Sequence, residues 1–569
     1  MSRFHRPALL FCLLSAAFLQ SCGEARRPVS PEDQETAARY LSVLEKYAET
    51  VFANSLDRYG EETPLFLDGV NLETLEPVTW QYDHHEWVLA NLANQQNLLR
   101  TLVGLTELTE EPKYKEAAVS AVQFGFENLV TPNGLMYWGG HTAYDARGDE
   151  WVGRRYHWLG KKRSPVHELK ATYPYYDLMW EIDEEATRRF IRAFWECHMR
   201  EWERLDFDRH GGVESPKRID ESVWEHDFAA DSPVGYIGKG RTFVNAGSDL
   251  LFAGAMLYDL DGEKPALQWA ERLAGQYAKT SDPKTGLRGY QFTRPAKDRA
   301  EEQFGDLFPE KVVDEAHLFE PNSLAAPLLT QIHLAERLGK KGDSFLKWAI
   351  ADLEGIGRSA YDDSTGKLRR TLLDGTDLSA TEMPRDGYFG PKGSISGQWP
   401  AADYFIVYAA AATLVDRTAH PELWEMARKI GKANRLGDIG SEEGEGRALN
   451  FETDLSNPEF IFGLLDLQEI TGDRSFLDLA CVIADNLIKI RMSNGYFKQE
   501  GDYRFTRVSR PESMALLHLA GSLLNLRDDL PVFYDSSSYF ACELKSSDPA
   551  YTFDHNVIYT QLRSDPASR

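Results

Sequence analysis

The sequence predicts a mainly α protein: an (α/α) toroid, or barrel, of helical hairpins with short β segments at its rim. The first observation behind this is a repeated module. It has an apolar helix, a short polar turn, a second helix with alanine at packing positions, and a glycine turn into a short extended piece. The module occupies residues 98–138, 250–290, 328–370 and 460–499, with a degenerate copy, HPELWEMARKIGKAN, at 420–434. The second observation is constant spacing. Tyr114, Leu267, Phe345 and Phe476 open the second helices, and the turns at Asn133, Thr285, Thr365 and Asn494 follow 19, 18, 20 and 18 residues later. The third is periodicity. Leu98, Leu102 and Leu105, like Ile461, Leu464 and Leu465, fall at subsets of i, i+3, i+4 and i+7, the repeat of one helix face. Helix pairs of this kind cannot bury their faces alone and must stack on neighbours. An open solenoid and a closed ring both meet that demand. One chain with similar helices at its two ends suits the ring, with aromatic and polar groups facing a central cleft.

Taken from the N-terminus, the first element reads as an address. Arg3 and Arg6 precede a mostly apolar stretch from Ala8 to Leu19, too short to stay as a membrane-spanning helix. It ends in Leu19-Gln20-Ser21-Cys22, which resembles a bacterial lipobox with Cys22 as the lipidated residue, and Gly23 follows rather than Asp. The expectation is a lipoprotein signal over 1–21, a polar tether over 22–34 and one catalytic toroid over 35–569. The mature protein is then lipid-anchored in the bacterial envelope at the outer membrane, with no other membrane contact. After processing, Cys197, Cys481 and Cys542 remain, with no CxxC spacing, so neither a thiolate zinc site nor a disulfide framework is implied.

Composition narrows the function. The chain has 569 residues, 63 Lys plus Arg against 89 Asp plus Glu, and a net charge of −26. Loss of Arg3 and Arg6 with the signal makes it −28. Such a field excludes a general nucleic-acid binder. Aromatic residues make up 12%, enough for a large core, a sugar-stacking cleft, or both. A monomer is expected.

Four segments carry candidate chemistry, each with a plain structural alternative. Trp138-Gly139-Gly140-His141 follows the Asn133-Gly134 turn and presents a histidine on open backbone, or a satisfied surface histidine. Pro165-Val166-His167-Glu168-Leu169-Lys170 places a carboxylate just before the aromatic run YPYYDLMW. Burial there is costly unless the carboxylate is paired or metal-bound, although a helix-start carboxylate would also fit. Asp206-Phe207-Asp208-Arg209-His210-Gly211-Gly212 sets arginine beside histidine before two glycines, or is a charged glycine turn. Arg154, Arg155, Lys161, Lys162 and Arg163 form an acid-free basic run in an acidic chain, either a solvated loop or an arm for an anionic ligand. Together His141, Glu168 and His210 supply two imidazoles and a carboxylate, a set that suits a divalent transition metal with open positions.

At these residues the sequence resembles polysaccharide lyase family 2, the pectate lyases built on an (α/α) toroid with two arms that grip the polymer. The matching stretches are EWVLANLANQQNLLRTLVGL, NGLMYWGGH, HELKATYPYYDLMWEID and DFDRHG, in order across residues 80–215. The resemblance implies metal ligands His141, Glu168 and His210 and Arg209 as base; because arginine ordinarily stays protonated, Lys170 is the alternative base. It implies manganese, cobalt or nickel rather than calcium, and polygalacturonate as the substrate. The basic segment between His141 and Glu168 looks like an insertion relative to that family. In a polyuronate the C5 proton lies α to a carboxylate; a cation on that carboxylate stabilises the enolate-like charge, and β-elimination needs no glycosidase-type acid pair. Arginine ordinarily stays protonated, so a basic Arg209 calls for desolvation and neighbouring cations.

Two other classes fit the same fold. One is a toroidal glycosidase acting on unsaturated uronyl sugars, with candidate acids Asp83, Asp249 and Asp403. The other is a glycan-binding surface lipoprotein without the metal triad. For substrate contact the expectations are Trp138, Tyr173, Tyr175 and Trp399 stacking on sugar faces, and Arg154, Arg155, Arg241, Arg294 and Lys392 meeting carboxylates. His84-His85-Glu86 is a candidate second metal cluster.

Overall fold

A computed structural model describes residues 28–82, 85–139, 142–152, 166–212, 219–232, 238–240, 242–289, 291–308, 318–387, 392–394, 398–498, 500 and 505–535. The expected signal over 1–21, Cys22, His141, the basic run 154–163, Asp83, His84, Arg241 and Cys542 lie outside the described residues.

The first helix, α1 (Pro31–Asn54), starts where its cap chemistry dictates. Ser30 accepts a hydrogen bond from the Asp33 backbone N–H, Pro31 occupies the first turn, and Glu32 and Asp33 face the positive end of the helix dipole. Residues 31–34 were expected in the tether. They form the first helical turn instead, and the Asp33 carboxylate pairs with Arg474 at 2.5 Å.

Helices then alternate between two kinds. An inner set is apolar around most of its circumference: α2 (Gln96–Thr109), α4 (Tyr176–Ile182), α6 (Val244–Asp261), α9 (Ala325–Leu338), α11 (Asp403–Leu414), α13 (Pro458–Thr471) and α15 (Pro511–Leu523). An outer set is amphipathic: α3 (Pro112–Asn128), α5 (Glu184–His198), α7 (Lys264–Ala278), α10 (Asp343–Ser359), α12 (Pro421–Ala433) and α14 (Arg474–Arg491), joined by α1. A helix that is apolar all round belongs inside, and a striped one lies at the surface. Each inner helix packs on the outer helix that follows it, and α15 packs on α1. Inner neighbours run α4–α6–α9–α11–α13–α15–α2, with α3 packing on α4. The ring of hairpins closes by docking the first helix on the last, so the predicted toroid is the observed architecture. The short helix α8 (Arg294–Phe304) covers a small satellite core of Ala300, Phe304, Leu372, Leu378 and Met383.

Because the hairpins are antiparallel, all inner helices begin at the same rim. The long connections, which carry the short strands, run from outer to inner helices at that rim; the opposite edge has short turns. The four module turns place Gly134, Gly286, Gly366 and Gly495 at φ between 68° and 86°, the left-handed region that suits glycine.

The ring has no open bore among the described residues. After α15 the chain turns inward, and Leu530–Asp535 fill the centre. Phe533 stacks on Phe462 of α13 at 4.2 Å. Tyr534 packs on Phe252 of α6 at 4.8 Å and on Tyr173 at 5.8 Å, under the Arg100 guanidinium of α2. Below this plug lies a cavity of about 280 Å³ lined by His333, Asp466, His518 and Arg527, among others.

Candidate active site

The site grows from one antiparallel strand pair at the rim. Strand Val166–Glu168 pairs with strand His210–Gly212 in the register His210↔Glu168, Gly211↔His167, Gly212↔Val166. Directly opposed residues share a face of a sheet, so Glu168 and His210 are brought together across 42 residues of chain. Glu168 is fully buried, and its Oε1 lies 3.5 Å from His210 Nε2 and 3.5 Å from Arg209 Nε. The backbone tightens the join, since Leu169 N–H donates to Arg209 O at 2.9 Å. The Arg209 guanidinium also lies over the Phe243 ring, 4.9 Å from its centroid.

A third segment flanks the pair. Glu168 N–H donates to Trp138 O at 3.1 Å. Gly139 has φ 93°, and a Cβ there would strike the carbonyl oxygen of Glu168. Only glycine fits at that backbone crossing. It brings the chain beside Glu168 two positions before His141.

On the other face of the strand pair is a chain of imidazoles. His198 Nδ1 lies 2.7 Å from Asp208 O, and His167 Nδ1 lies 2.7 Å from His198 Nε2. A carbonyl only accepts, so His198 carries its proton on Nδ1 and accepts at Nε2 from His167 Nδ1–H. His167 Nε2 ends this chain without a hydrogen-bond partner among the described residues. Burial pushes the His198 pKa down to about 4, and burial together with the neighbouring imidazole holds His167 well below the ordinary histidine value. Gly211 is required here too, because a Cβ would come within 2.6 Å of His198 Nε2.

Asp208 is the hub of the hairpin. Its Oδ1 accepts from His210 N–H at 3.0 Å and faces His210 Nδ1 at 3.2 Å, and its Oδ2 accepts from Arg200 at 2.7 Å. Burial by itself would raise this carboxyl, but the His210 and Arg200 donors outweigh it and hold it below the usual carboxylate range. Sequence reasoning passed over Asp208, although it stands inside the quoted DFDRHG stretch. It also missed Asn91, inside EWVLANLANQQ, whose amide donates to Gly139 O at 2.8 Å and Thr142 O at 3.0 Å.

Other expected contacts are placed differently. Trp138 is 1% exposed, packs on Phe190 and donates its Nε1–H to Thr172. Tyr173 is fully buried and bonds Ser248, and Tyr175 is 8% exposed beneath the Arg100 guanidinium. These three rings form core rather than a sugar platform, because residues 169–176 turn inward to cap the inner helices. Trp399 is half-buried in a strand paired with Leu368. Lys170 is half-buried immediately beyond Leu169. Arg294 is exposed at the start of α8, and nothing described joins it to Glu168. Lys392 is exposed.

The candidate hydrolytic acids also resolve. Asp249 is fully buried and accepts the N–H groups of Ala171 and Thr172 at 2.6 and 2.8 Å, so it braces the loop after Lys170. Burial lifts its pKa to about 7 against those bonds. Asp403 is exposed at the start of α11 near Glu459 and Asp535, and burial followed by the charge of Asp403 lifts those two to about 8 and about 7. Among the described residues, Glu354, His420 and Glu422 lie close enough to share an ion. They sit on the outer layer, at α10 and the start of α12, and His420 Nδ1 already faces Glu354 at 2.8 Å. No signal in the sequence linked His420 to a glutamate 66 residues upstream.

Comparison with known proteins adds the lineage. A family described as periplasmic pectate lyase matches residues 63–543. A pectate disaccharide-lyase of Dickeya dadantii (strain 3937) is 28% identical over 558 residues, covering 92% of this chain and 96% of the relative. Among solved structures, a cellobiose 2-epimerase from Spirochaeta thermophila DSM 6192 is 14% identical, with a TM-score of 0.46, over 88% of this chain and 98% of the other. A glycoside hydrolase family 76 mannosidase from Bacteroides thetaiotaomicron VPI-5482 is 9% identical, with a TM-score of 0.40, over 86% and 100%. The sequence match runs through every hairpin of the ring beyond α1 and takes in the paired strands of Glu168 and His210, and on that extent the chain belongs to the periplasmic pectate lyase family.

Proposed function

We propose that this polysaccharide lyase cleaves polygalacturonate by β-elimination, with His141, Glu168 and His210 holding a divalent transition metal and Arg209 acting as base. The observation that carries the reading is the strand register that joins Arg209 and His210 to a fully buried Glu168 within 3.5 Å. The donor set fits the metal: a carboxylate and an imidazole nitrogen face one another in a buried, hydrogen-bonded frame. Such ligands suit manganese, cobalt or nickel better than an all-oxygen calcium cage.

A divalent cation bound there would supply Lewis-acid stabilisation of charge on the uronate carboxylate next to C5. The rest is work for the chain's own groups. Glu168 and His210 stay in place because paired strands fix their backbones. Asp208 keeps the His210 proton on Nδ1 and so leaves Nε2 facing inward. Arg209, tethered through its carbonyl to Leu169 N–H, takes the C5 proton on a nitrogen of its neutral guanidine, which becomes the guanidinium. The C5–H electrons become the C4=C5 double bond, and the C4–O bond breaks with its electrons on the departing oxygen. Lys170 is the alternative base.

The test is incubation of purified protein with polygalacturonate while following ultraviolet absorbance of 4,5-unsaturated ends. Chelator abolishes the signal, and manganese, cobalt or nickel restores it. No unsaturated product from any polyuronate sinks the proposal. Product sizes then decide whether disaccharides are released, as the name of the Dickeya relative suggests. We also propose that Cys22 carries lipid and fixes a monomeric enzyme to the envelope. Arg154, Arg155 and the rest of the basic run then draw in the anionic polymer.

A further inference from the structure

We propose that the cavity at the short-turn edge of the ring, under the Leu530–Asp535 plug, binds a neutral monosaccharide. It is a site apart from the strand pair of Glu168 and His210, which stands at the opposite rim. Helices α9, α11, α13 and α15 each turn one stripe toward it, as Phe462, Asp466 and Glu469 of α13 show, at the three- and four-residue spacing of a single helix face. The plug supplies its inner end through Leu530 and Phe533. A volume of about 280 Å³ equals that of roughly nine liquid waters, room for one sugar ring and not for a chain of them.

His518 calls for a ligand. It is 6% exposed, and its Nε2 lies 3.0 Å from Pro531 O. A carbonyl only accepts, so the proton sits on Nε2 and Nδ1 keeps a lone pair. That Nδ1 is buried without a hydrogen-bond partner among the described residues, and the side chain lines the cavity. Buried acceptors are normally satisfied, so a donor within the cavity is the group that fits.

Charge selects the donor. An anion would meet four carboxylates, Glu336, Asp466, Glu469 and Asp528, among the described lining residues. The guanidinium of Arg527 is already held by Asp466 at 2.5 Å. Burial and then the Arg527 charge push the His518 pKa down to about 3, and the same charge repels a cation at Nδ1. The carboxylates and imidazoles here are not among the described groups close enough to share an ion. A hydroxyl remains, since it donates to Nδ1 without burying a charge. The other walls suit a molecule with several hydroxyls and one apolar face. Asp466 and Glu469 accept further hydroxyl protons, while Ile406 and Phe462, the latter stacked on Phe533 at 4.2 Å, offer apolar surface to the C–H groups of a ring.

The experiment is saturation-transfer NMR and calorimetric titration of the full-length protein with D-glucose, D-galactose and D-mannose. D-Glucuronate and D-glucosamine run beside them as an anion and a cation of the same shape. The parent binds a neutral hexose, and binds both charged analogues more weakly. Ala410→Phe fills the cavity from α11 and abolishes that binding, while cleavage of polygalacturonate continues at the parent rate. Thr413→Trp, from a half-buried position on the same helix, serves if Ala410→Phe does not fold. His518→Leu removes the acceptor and weakens binding about 3- to 10-fold, the usual worth of one hydrogen bond between neutral groups. His518→Gln, which keeps an N–H for Pro531 O and an oxygen for the ligand, recovers part of the loss. The proposal is overturned by a parent that binds none of the three hexoses, or by hexose binding that survives filling of the cavity. Equal affinity in folded His518→Leu, or tighter binding of glucuronate or glucosamine in this cavity, overturns it as well.

Discussion

At the scale of single residues, the site is a set of groups whose partners fix their state. Arg209→Ala is expected to lower kcat by about 10²- to 10⁴-fold, the usual worth of a positioned proton-transfer group, with Mn²⁺ affinity changed far less; single-turnover rates and metal titration check both. Gly139→Ala is expected to impair metal binding and stability together, since a Cβ meets the Glu168 carbonyl at φ 93°; thermal unfolding and Mn²⁺ titration measure it. The imidazoles behind the strands give a pH signature. His198 titrates near 4 in the folded protein against an ordinary value of 6.5. Between those values the unfolded chain binds the extra proton, so stability rises with pH through that window and is lost on acidification from about 6.5 to 4. His198→Gln is expected to flatten that part of the difference from wild type in unfolding experiments run across the window. Glu168, Arg209 and His210 were legible in the sequence because DFDRHG and HELK carry unusual neighbours. Asp208 and Asn91 were not, because an aspartate or asparagine announces no partner until the fold supplies one.

At the scale of elements, packing explains which helices are essential. The outer helix α1 closes the ring on α15, and Tyr47 sits fully buried between them with its hydroxyl donating to Val508 O at 2.6 Å. Tyr47→Ala is expected to cost about 3–5 kcal/mol by analogy with other buried aromatics, read from denaturant midpoints. The hairpins themselves were legible, since the 18- to 20-residue spacing between helix start and glycine turn follows from helix length. The start of α1 was not, because Ser30-Pro31 reads equally as a tether and as a cap. The role of the aromatic run after Glu168 was also hidden. Tyr173 and Tyr175 flank Pro174 in an aromatic run that suits either a cleft wall or a core, and Asp249 bonding the backbone of residues 171 and 172 turned them inward.

At the scale of the whole molecule, the plug and the charge matter most. Phe533 lies 4% exposed against Phe462 inside the ring. Phe533→Ala is expected to cost about 3–5 kcal/mol and to lower the melting temperature without altering Mn²⁺ affinity, because the strand pair stands at the rim and not in the bore. Screening at physiological salt confines the field of the net charge of −26 to ~8 Å, so local cations decide what an anionic polymer meets near the site. Neutralising the five cations of residues 154–163 is therefore expected to raise KM for polygalacturonate and leave kcat nearly unchanged, with the effect shrinking as salt rises. Cys22→Ala is expected to move the protein from the membrane to the soluble fraction.

The sequence by itself determined the helical period and the hairpin repeat and favoured the ring over an open solenoid, while the grouping of Glu168 with Arg209 and His210 came from the family resemblance. These are written in local spacing, where helix geometry and short motifs leave few alternatives. Only the tertiary structure decided that α1 docks on α15, that Leu530–Asp535 fill the bore, that three expected sugar platforms are core, that Asp208 faces His210 and that Asn91 bonds Gly139 and Thr142. Each of these depends on contacts between distant parts of the chain or on which of two faces is buried. An apolar or polar side chain carries the same letter in a core, a cleft or a clamp, and only the surface that packs against it separates the three.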